Sequence, residues 1–355
     1  MTLELEKHLK EMICLPGLSA NEAPIRDVIS AAWRPLVDEL STSRLGSLHG
    51  LRRGSGSEPR PRILLAAHMD AIGLMVTTID GGFLHFTEVG GLDPRILPCQ
   101  RVTVHGRKDI PALIVQPADR LLPASMKGNP PPMDRLLVDT GLPAAEVEKL
   151  VRPGDLISFA QAPLNLTGGM LAGHTMDNRA SVAAVTQCLA ELQTRKHGCD
   201  VWAAATVQEE ETLGGGFTSP FSIQPDLAIA IDVTFGKGPG AGDYRTHALG
   251  KGPTIGWGPN VHPAFHKKMK SVAEELDIPF QVEIMPRHSG TDAYAMQVVG
   301  AGYPTLVLGI PLRYMHTPVE TVLLKDIART GRLMAEFITR LEPDFHKTMR
   351  WDVES

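Results

Sequence analysis

Five short segments of the 355-residue sequence concentrate carboxylates and histidines, the side chains that bind metal ions or transfer protons. They are His68-Met69-Asp70, Met176-Asp177-Asn178-Arg179, Gln208-Glu209-Glu210-Glu211, Ile231-Asp232-Val233-Thr234 and Met315-His316-Thr317-Pro318. Two histidines with three or four carboxylates and no cysteine suit zinc, cobalt or manganese. Because ionised side chains are costly to bury unless they are paired or metal-bound, the set indicates two divalent ions that share one carboxylate.

Two neighbouring metal ions can polarise a carbonyl group and lower the pKa of a water molecule between them. A further carboxylate that binds no metal must then accept the proton of that water. The adjacent Glu209 and Glu210 offer one acid for the metal and one for the proton. The pattern therefore predicts metal-assisted attack of water on a carbonyl group.

Each segment also has an ordinary structural explanation when it is taken alone. A histidine at a strand end, such as His68, often forms only a hydrogen bond in the core. Asp177 could be a helix N-cap, and a run of glutamates is usually a solvated helix start. The occurrence of all five segments at predicted strand ends and helix starts favours the functional interpretation.

The elements that must position these side chains are predicted from apolar patterning. The run 63–67 is continuously apolar and ends at His68, which is typical of a strand buried on both faces. After Gly173 the predicted elements alternate: helix 178–195, strands 201–207 and 227–233, helix 264–276, strand 280–285, helix 291–298, strand 304–309 and helix 324–341. This alternation predicts an α/β fold with a mainly parallel central sheet and helices on both faces. In such folds ligands bind at the carboxyl ends of the strands.

Residues 71–167 differ from the remainder of the chain, because short strand-like segments are separated there by Gly, Pro and Asp turns. We predict strands at 73–78, 83–89, 101–105, 112–116 and 155–160. This region is therefore predicted to be a small inserted β-domain, and residues 1–70 and 168–355 the catalytic domain. At the N-terminus we predict a helix over 3–13, and a second helix that begins with Ser19 and Glu22 as a capping box.

Composition restricts the classes of function. Apolar residues make up 43% and charged residues 21%, and the net charge of −5 with no large basic cluster disfavours a nucleic-acid partner. The longest apolar runs have five residues, whereas a membrane span needs about twenty. Four scattered cysteines fit a reducing compartment. We therefore expect a cytoplasmic protein with no membrane partner.

The sequence resembles the co-catalytic metallo-aminopeptidases of the tetrahedral (TET) type, which include glutamyl and deblocking aminopeptidases and chains once labelled endoglucanases. The resemblance covers nearly the whole chain. It rests on AAHMDAIGLMV (66–76), VGGLDPRILPCQRV (89–102), GHTMDNRASVAAV (173–185), TVQEEETLGGG (206–216), AIAIDVT (228–234), LGKGP (249–253), SGTDAYA (289–295) and IPLRYMHTPVE (310–320).

This resemblance implies a zinc-peptidase-like fold and a metal ligand set in which one carboxylate is shared. His68, Asp177 and Asp232 would bind one ion. Asp177, Glu210 and His316 would bind the other. The cofactors would be two divalent ions per subunit, zinc, cobalt or manganese.

The resemblance also implies roles for residues beside the metals. Glu209 would be the general base, and Asp70 would orient His68. His288 lies in a loop that borders the substrate pocket in the family, so it would contribute to specificity. The chain departs from the family pattern at Asn178, where a second aspartate is usual, and at Glu211, where an apolar residue is more usual.

The implied function is removal of N-terminal residues from short peptides by a homododecameric tetrahedron whose active sites face an inner chamber, with residues 71–167 involved in assembly. Three alternatives remain at this point. A deacylase or carboxypeptidase would need a cation such as Arg179 or Arg313 to hold a substrate carboxylate. A glycosidase would use two carboxylates but would give no role to His68 and His316. A catalytically silent scaffold could retain the same fold.

Overall fold

The structure, a computed structural model, describes residues 3–123, 132–342 and 344–349. Within these residues the α-helices are α1 Leu5–Ile13, α2 Ala23–Trp33, α3 Ala144–Leu150, α4 Met176–Leu192, α5 Glu209–Thr212, α6 Gly214–Ile223, α7 Pro263–Glu275, α8 Asp292–Val298 and α9 Leu324–Thr339. The β-strands are β1 Glu39–Thr42, β2 Leu48–Arg52, β3 Arg62–His68, β4 Gly73–Asp80, β5 Phe83–Val89, β6 Arg101–His105, β7 Asp109–Val115, β8 Leu137–Asp139, β9 Leu156–Phe159, β10 Leu164–Leu166, β11 Met170–Gly173, β12 Asp200–Thr206, β13 Leu227–Phe235, β14 Thr254–Trp257, β15 Gln281–Ile284, β16 Thr305–Arg313 and β17 Glu320–Leu323.

A large central sheet runs in the order β1-β2-β12-β3-β13-β16-β17-β11-β10, and β14 joins β15 to β16. The four strands β12, β3, β13 and β16 are parallel to one another. The outer pairs β1-β2, β2-β12, β16-β17, β17-β11 and β11-β10 are antiparallel. The sheet is therefore mixed, with a parallel centre, rather than mainly parallel as the sequence predicts.

The parallel centre is covered on both faces. In β13 every residue from Leu227 to Thr234 is buried, and successive side chains of a strand point to opposite faces. Helices α4 and α8 both contact β13, and α9 packs on α4. None of the helices that the structure describes has the length and apolar character of a membrane span.

The predicted elements of the parallel centre match the observed ones closely. The helix predicted at 178–195 is α4, that at 264–276 is α7, and that at 324–341 is α9. Strands β1, β2, β10, β11, β14 and β17 of the central sheet were not predicted. These strands have three to five residues each, too short to show a clear apolar period, so their pairing depends on the sheet already being formed.

The strands that lie between β3 and β10 in the sequence form a closed barrel in the order β4-β5-β8-β7-β6-β9. In β7 the buried residues Ile110, Ala112 and Ile114 alternate with exposed ones, as expected for a strand with one face in a core. They belong to an apolar cluster separate from the main core. The strand predictions at 83–89 and 101–105 are confirmed, whereas the three-residue β8 was not predicted. The domain boundaries at 71 and 167 stay predictions.

The Thr186 hydroxyl forms hydrogen bonds with both N-terminal helices. Thr186 Oγ1, on α4, accepts a hydrogen bond from Trp33 Nε1 of α2 at 2.9 Å and lies 3.1 Å from His8 Nε2 of α1. The same hydroxyl donates to the Val182 carbonyl oxygen. Burial lowers the pKa of His8 to about 4, so the ring is neutral. Because the hydroxyl proton is directed at the Val182 carbonyl oxygen, His8 Nε2 is the donor to the hydroxyl oxygen.

We predict that Thr186→Val lowers the free energy of unfolding by about 2–6 kcal/mol, because two buried donors lose their acceptor at about 1–3 kcal/mol each. Thr186→Ser keeps the hydroxyl and loses one methyl group, so its cost is about 1 kcal/mol. Urea denaturation of both variants and the unaltered chain measures the difference. Equal losses in the two variants would contradict this role of the hydroxyl.

Candidate metal centre

The site lies where four parallel strands end. His68 is the last residue of β3, directly beside Thr206, the last residue of β12. Glu209 and Glu210 follow β12, Asp232 lies near the end of β13, and His316 follows β16. Because parallel strands end at the same edge of a sheet, chain segments far apart in sequence meet here.

Asp177, at the start of α4, lies between two histidines. Its Oδ1 is 3.2 Å from His68 Nε2, and its Oδ2 is 3.4 Å from His316 Nε2. On one side Asp232 Oδ1 is 3.8 Å from His68 Nε2, and on the other Glu210 Oε2 is 3.6 Å from His316 Nε2. The structure thus brings together all five side chains that the resemblance assigned to the metals.

The two histidines are held in matching orientations. His68 Nδ1 lies 3.1 Å from the Asp70 carbonyl oxygen, and His316 Nδ1 lies 2.7 Å from the Gly91 carbonyl oxygen. A carbonyl oxygen only accepts hydrogen bonds, so each Nδ1 carries the proton. Each Nε2 therefore faces Asp177 and is the ring nitrogen that would bind a metal ion, the orientation that metal-binding histidines require.

The Asp70 carboxylate acts on the glutamate pair more directly than on His68. Its Oδ1 and Oδ2 accept hydrogen bonds from the main-chain nitrogens of Glu209 and Glu210, at 3.0 and 3.2 Å. Ser19 Oγ donates to it at 2.6 Å, while the distance from Asp70 Oδ1 to His68 Nδ1 is 3.5 Å. Asp70 thus orients His68 through its main-chain oxygen, and its carboxylate fixes the loop after β12.

The capping box predicted at Ser19 and Glu22 is wrong. Helix α2 begins at Ala23 without a side-chain cap. Glu22 instead accepts hydrogen bonds from the Ala20 nitrogen at 2.9 Å and from the Gln208 nitrogen at 3.2 Å. These side chains are used by the site, because Ser19 supports Asp70 and Glu22 supports the residue before Glu209.

Glu320 is a structural residue of the site that sequence reasoning missed. It is buried, and its two carboxylate oxygens accept hydrogen bonds from the main-chain nitrogens of His316 and Asp177, at 2.8 and 3.0 Å. It therefore couples the segment after β16 to the start of α4. The sequence feature that could have identified Glu320 is its place as the last residue of the motif IPLRYMHTPVE (310–320).

The backbone of the site adopts conformations that non-glycine residues rarely take. The φ angles of Thr175, Gln208 and His316 are 62°, 57° and 60°, within the left-handed region. Each such residue costs roughly 1–2 kcal/mol. Thr175 lies two residues before Asp177, and Gln208 lies directly before Glu209. His316 is itself a candidate ligand. The unusual backbone therefore occurs where the chain turns these side chains toward the site.

The site contains more buried negative charge than its histidines can balance. Burial raises the pKa of Glu209 to about 9 and that of Glu210 to about 8. Burial alone would also raise the pKa of Asp177, but hydrogen bonds from His316 and His68 hold it below its ordinary value. Burial opposes the charge of His316, yet Asp177 and Glu210 raise its pKa to about 10. The electrostatics therefore favour additional positive charge here.

The donor set fits divalent metal ions. One ligand atom from each of His68, Asp177 and Asp232 lies within 4.8 Å of the others, and the same holds for Asp177, Glu210 and His316. Glu210 Oε1 is buried and has no hydrogen-bond partner among the described residues. Imidazole and carboxylate ligands without cysteine suit zinc, cobalt or manganese.

A cavity of about 310 Å³ opens from these side chains. Glu209, which belongs to neither ligand group, lines it, with Oε2 3.7 Å from His68 Nε2. Ser289, Gly290 and Thr291 also line it. His288 precedes them but lies on the exposed side of the loop, with its ring centroid 5.4 Å from that of Tyr294. Its role in specificity stays a prediction.

Both departures from the family pattern have structural partners. Asn178 Nδ2 donates to the Ile231 carbonyl oxygen at 2.9 Å, which joins α4 to β13 beside Asp232. Glu211 Oε1 accepts a hydrogen bond from the Gly90 nitrogen at 2.6 Å. Gly90 and Gly91 follow β5 of the barrel, so the barrel supports both the glutamate loop and His316.

Comparisons with known proteins agree with this geometry. The M42 glutamyl aminopeptidase family model matches residues 46–333. The lysyl aminopeptidase of Pyrococcus furiosus is 35% identical over 341 residues, which cover 94% of this chain and 97% of that relative.

Solved structures show the same fold. An aminopeptidase from the archaeon Desulfurococcus kamchatkensis superposes with a TM-score of 0.90 at 31% identity and covers 99% of both chains. The Pyrococcus horikoshii TET1 peptidase, which can assemble into a tetrahedron or a large octahedral shell, superposes with a TM-score of 0.83 at 30% identity, over 95% of this chain and 100% of that one. The protein is therefore a metallo-aminopeptidase that belongs to the M42 glutamyl aminopeptidase family, which confirms the resemblance to enzymes of the TET type.

Proposed function

We propose that this enzyme is a dinuclear-metal aminopeptidase that removes N-terminal residues from short peptides. The observation that supports two ions is the position of Asp177, whose two oxygens face separate histidines at 3.2 and 3.4 Å. His68, Asp177 and Asp232 would hold one ion, and Asp177, Glu210 and His316 the other. The ions would be zinc, cobalt or manganese.

When bound, the two ions would polarise the scissile carbonyl and lower the pKa of the attacking water. Glu209 accepts the proton of that water and delivers it to the leaving amine. It suits this role because it lines the cavity beside His68 but belongs to neither ligand group. The free α-amino group of the peptide is cationic, so the carboxylates around the metals favour it over a blocked terminus.

The alternative of a deacylase or carboxypeptidase loses support, because its candidate cations point elsewhere. Arg179 is fully buried, and its Nη1 donates to the carbonyl oxygens of Met12 and Leu15. Arg313 Nε donates to the Lys237 carbonyl oxygen. No lysine or arginine is among the described residues that line the cavity, so a substrate carboxylate would meet no ammonium or guanidinium group there.

We further propose that residues 71–167 form an inserted assembly domain and that the enzyme acts in the cytoplasm as a homo-oligomer, with the tetrahedral dodecamer as the expected form. Similarity to the P. horikoshii TET1 peptidase supports the assembly. The comparisons do not indicate which N-terminal residue the enzyme prefers. The family description names a glutamyl aminopeptidase, whereas the P. furiosus relative is a lysyl aminopeptidase.

We predict that Glu209→Gln retains both metal ions but lowers kcat by roughly 10²- to 10⁴-fold, because the isosteric amide cannot accept the water proton. Elemental analysis and hydrolysis of aminoacyl p-nitroanilides with added cobalt, zinc or manganese measure the two effects. Glu275→Gln, an exposed residue of α7 outside the site, is the matched control and should stay within about twofold of the unaltered enzyme. Activity retained in Glu209→Gln would remove Glu209 from the base role.

We predict different metal contents for two ligand variants. Asp177→Ala removes the shared carboxylate, so both ions should be lost from the purified protein. His316→Ala removes a ligand of one ion only, so about one equivalent should remain. Elemental analysis at equal protein concentration distinguishes them, and identical losses in both variants would contradict the shared position of Asp177.

We predict that the purified protein forms one large species whose mass corresponds to twelve chains of 38.4 kDa. Multi-angle light scattering after size-exclusion chromatography measures this mass. A stable monomer across the accessible concentration range is incompatible with the proposed chamber.

A further inference from the structure

Glu283 is an acid of the cavity that the proposed metal centre does not use. Among the described lining residues five are acids, and four of them, Asp177, Glu209, Glu210 and Asp232, are ligands or the base in the proposed mechanism. Two divalent ions would balance these four charges. Glu283 is the fifth, and its charge remains without a cationic partner in the cavity wall.

The Glu283 carboxylate is held in place by neutral groups. Thr234 Oγ1, on β13, donates to Oε1 at 2.7 Å, and Thr254 Oγ1, on β14, donates to Oε2 at 2.6 Å. A carboxylate oxygen has two lone pairs, so each oxygen can accept a further hydrogen bond from the cavity. The two threonines thus orient the carboxylate without neutralising it.

Glu283 lies beside the metal centre, because its partner Thr234 is two residues from Asp232 on β13. Asp232 and Thr234 are two residues apart on β13, so their side chains lie on the same face with Cα atoms roughly 6–7 Å apart. Gly309 is directly opposite Asp232 on β16. A Cβ atom on Gly309 would lie only 2.9 Å from Glu283 Oε2, so glycine leaves the space in which this carboxylate sits.

A basic side chain fits this arrangement. The lysine ammonium stands on a flexible four-carbon stem, and the apolar side chains of Met285, Val307 and Met315 line the cavity. Such stems pack along apolar surface while the charged end reaches a polar partner. An acidic side chain at the same place would face the Glu283 charge with no cation to offset the repulsion.

We propose that Glu283 binds the side chain of the N-terminal residue and selects peptides that begin with lysine or arginine. The proposal rests on the aminopeptidase function given above, since it assumes that the scissile carbonyl lies at the metal centre. Glu283 is then a specificity residue, and the metal ligands and Glu209 are common to all substrates.

The test compares L-lysyl and L-norleucyl p-nitroanilide, which have the same four-carbon stem with and without the ammonium group. Both are assayed with the metal-loaded enzyme, as the unaltered chain and as Glu283→Gln. We expect the unaltered enzyme to have the higher kcat/KM for the lysyl substrate. In Glu283→Gln the lysyl-to-norleucyl ratio of kcat/KM should fall roughly 10- to 100-fold, the loss of one hydrogen bond between charged groups.

Glu275→Gln, an exposed residue of α7, removes the same charge outside the cavity and should keep the ratio of the unaltered enzyme. Norleucyl hydrolysis by Glu283→Gln shows that the variant is folded and metal-loaded. An unchanged ratio, or an equal loss on both substrates, overturns the proposal while the aminopeptidase function stands. Hydrolysis of neither substrate by the unaltered metal-loaded enzyme overturns the specificity proposal. The proposed aminopeptidase function falls with it only if a panel of other aminoacyl p-nitroanilides, glutamyl included, is not hydrolysed either.

Discussion

The interaction on which the site depends is the placement of one carboxylate, Asp177, between two histidines. Its oxygens face His68 Nε2 and His316 Nε2 from opposite sides. Both imidazoles can face it only because a main-chain carbonyl oxygen fixes the other nitrogen of each ring. Because Asp177 belongs to both ligand groups, a displacement of its carboxylate would alter both together, whereas a displacement of either histidine would alter one.

Holding this carboxylate among other acids is electrostatically unfavourable, and the fold offsets the cost by many hydrogen bonds from distant elements. Glu320 binds the backbone of both Asp177 and His316. Asp70 binds the backbone of Glu209 and Glu210. Main-chain N–H groups favour the charged form of a buried carboxylate. Burial opposes the charge of Asp70, yet hydrogen bonds from His68, Ser19 and the Glu209 nitrogen keep its pKa below the ordinary value. For Glu320, burial and the nearby Asp177 outweigh the main-chain hydrogen bonds and raise its pKa well above the ordinary value.

The parts of the fold that sequence reasoning predicted well are those with a strong local pattern. The run that ends at His68 is apolar over 63–67 and forms the buried strand β3, and α9 has a clear apolar face. Ser19 shows the limit of such reasoning. Its spacing from Glu22 is that of a capping box, in which the serine oxygen accepts a hydrogen bond from a helix N–H. The hydroxyl instead donates to the buried Asp70 carboxylate, because a hydrogen bond to an ionised group is the stronger one, whereas water can satisfy the helix N–H groups.

The sequence by itself determined the chemical inventory: two histidines and a surplus of acids at strand ends, the apolar runs that become the parallel centre, and motifs specific enough to identify the family. The tertiary structure decided which groups orient the ligands, the antiparallel margins of the sheet, and the position of Glu283 in the cavity wall. The physical reason is separation along the chain. His316 and Gly91 are 225 residues apart and Asp177 and Glu320 are 143 apart, and contacts of that range leave no periodic pattern in a single sequence.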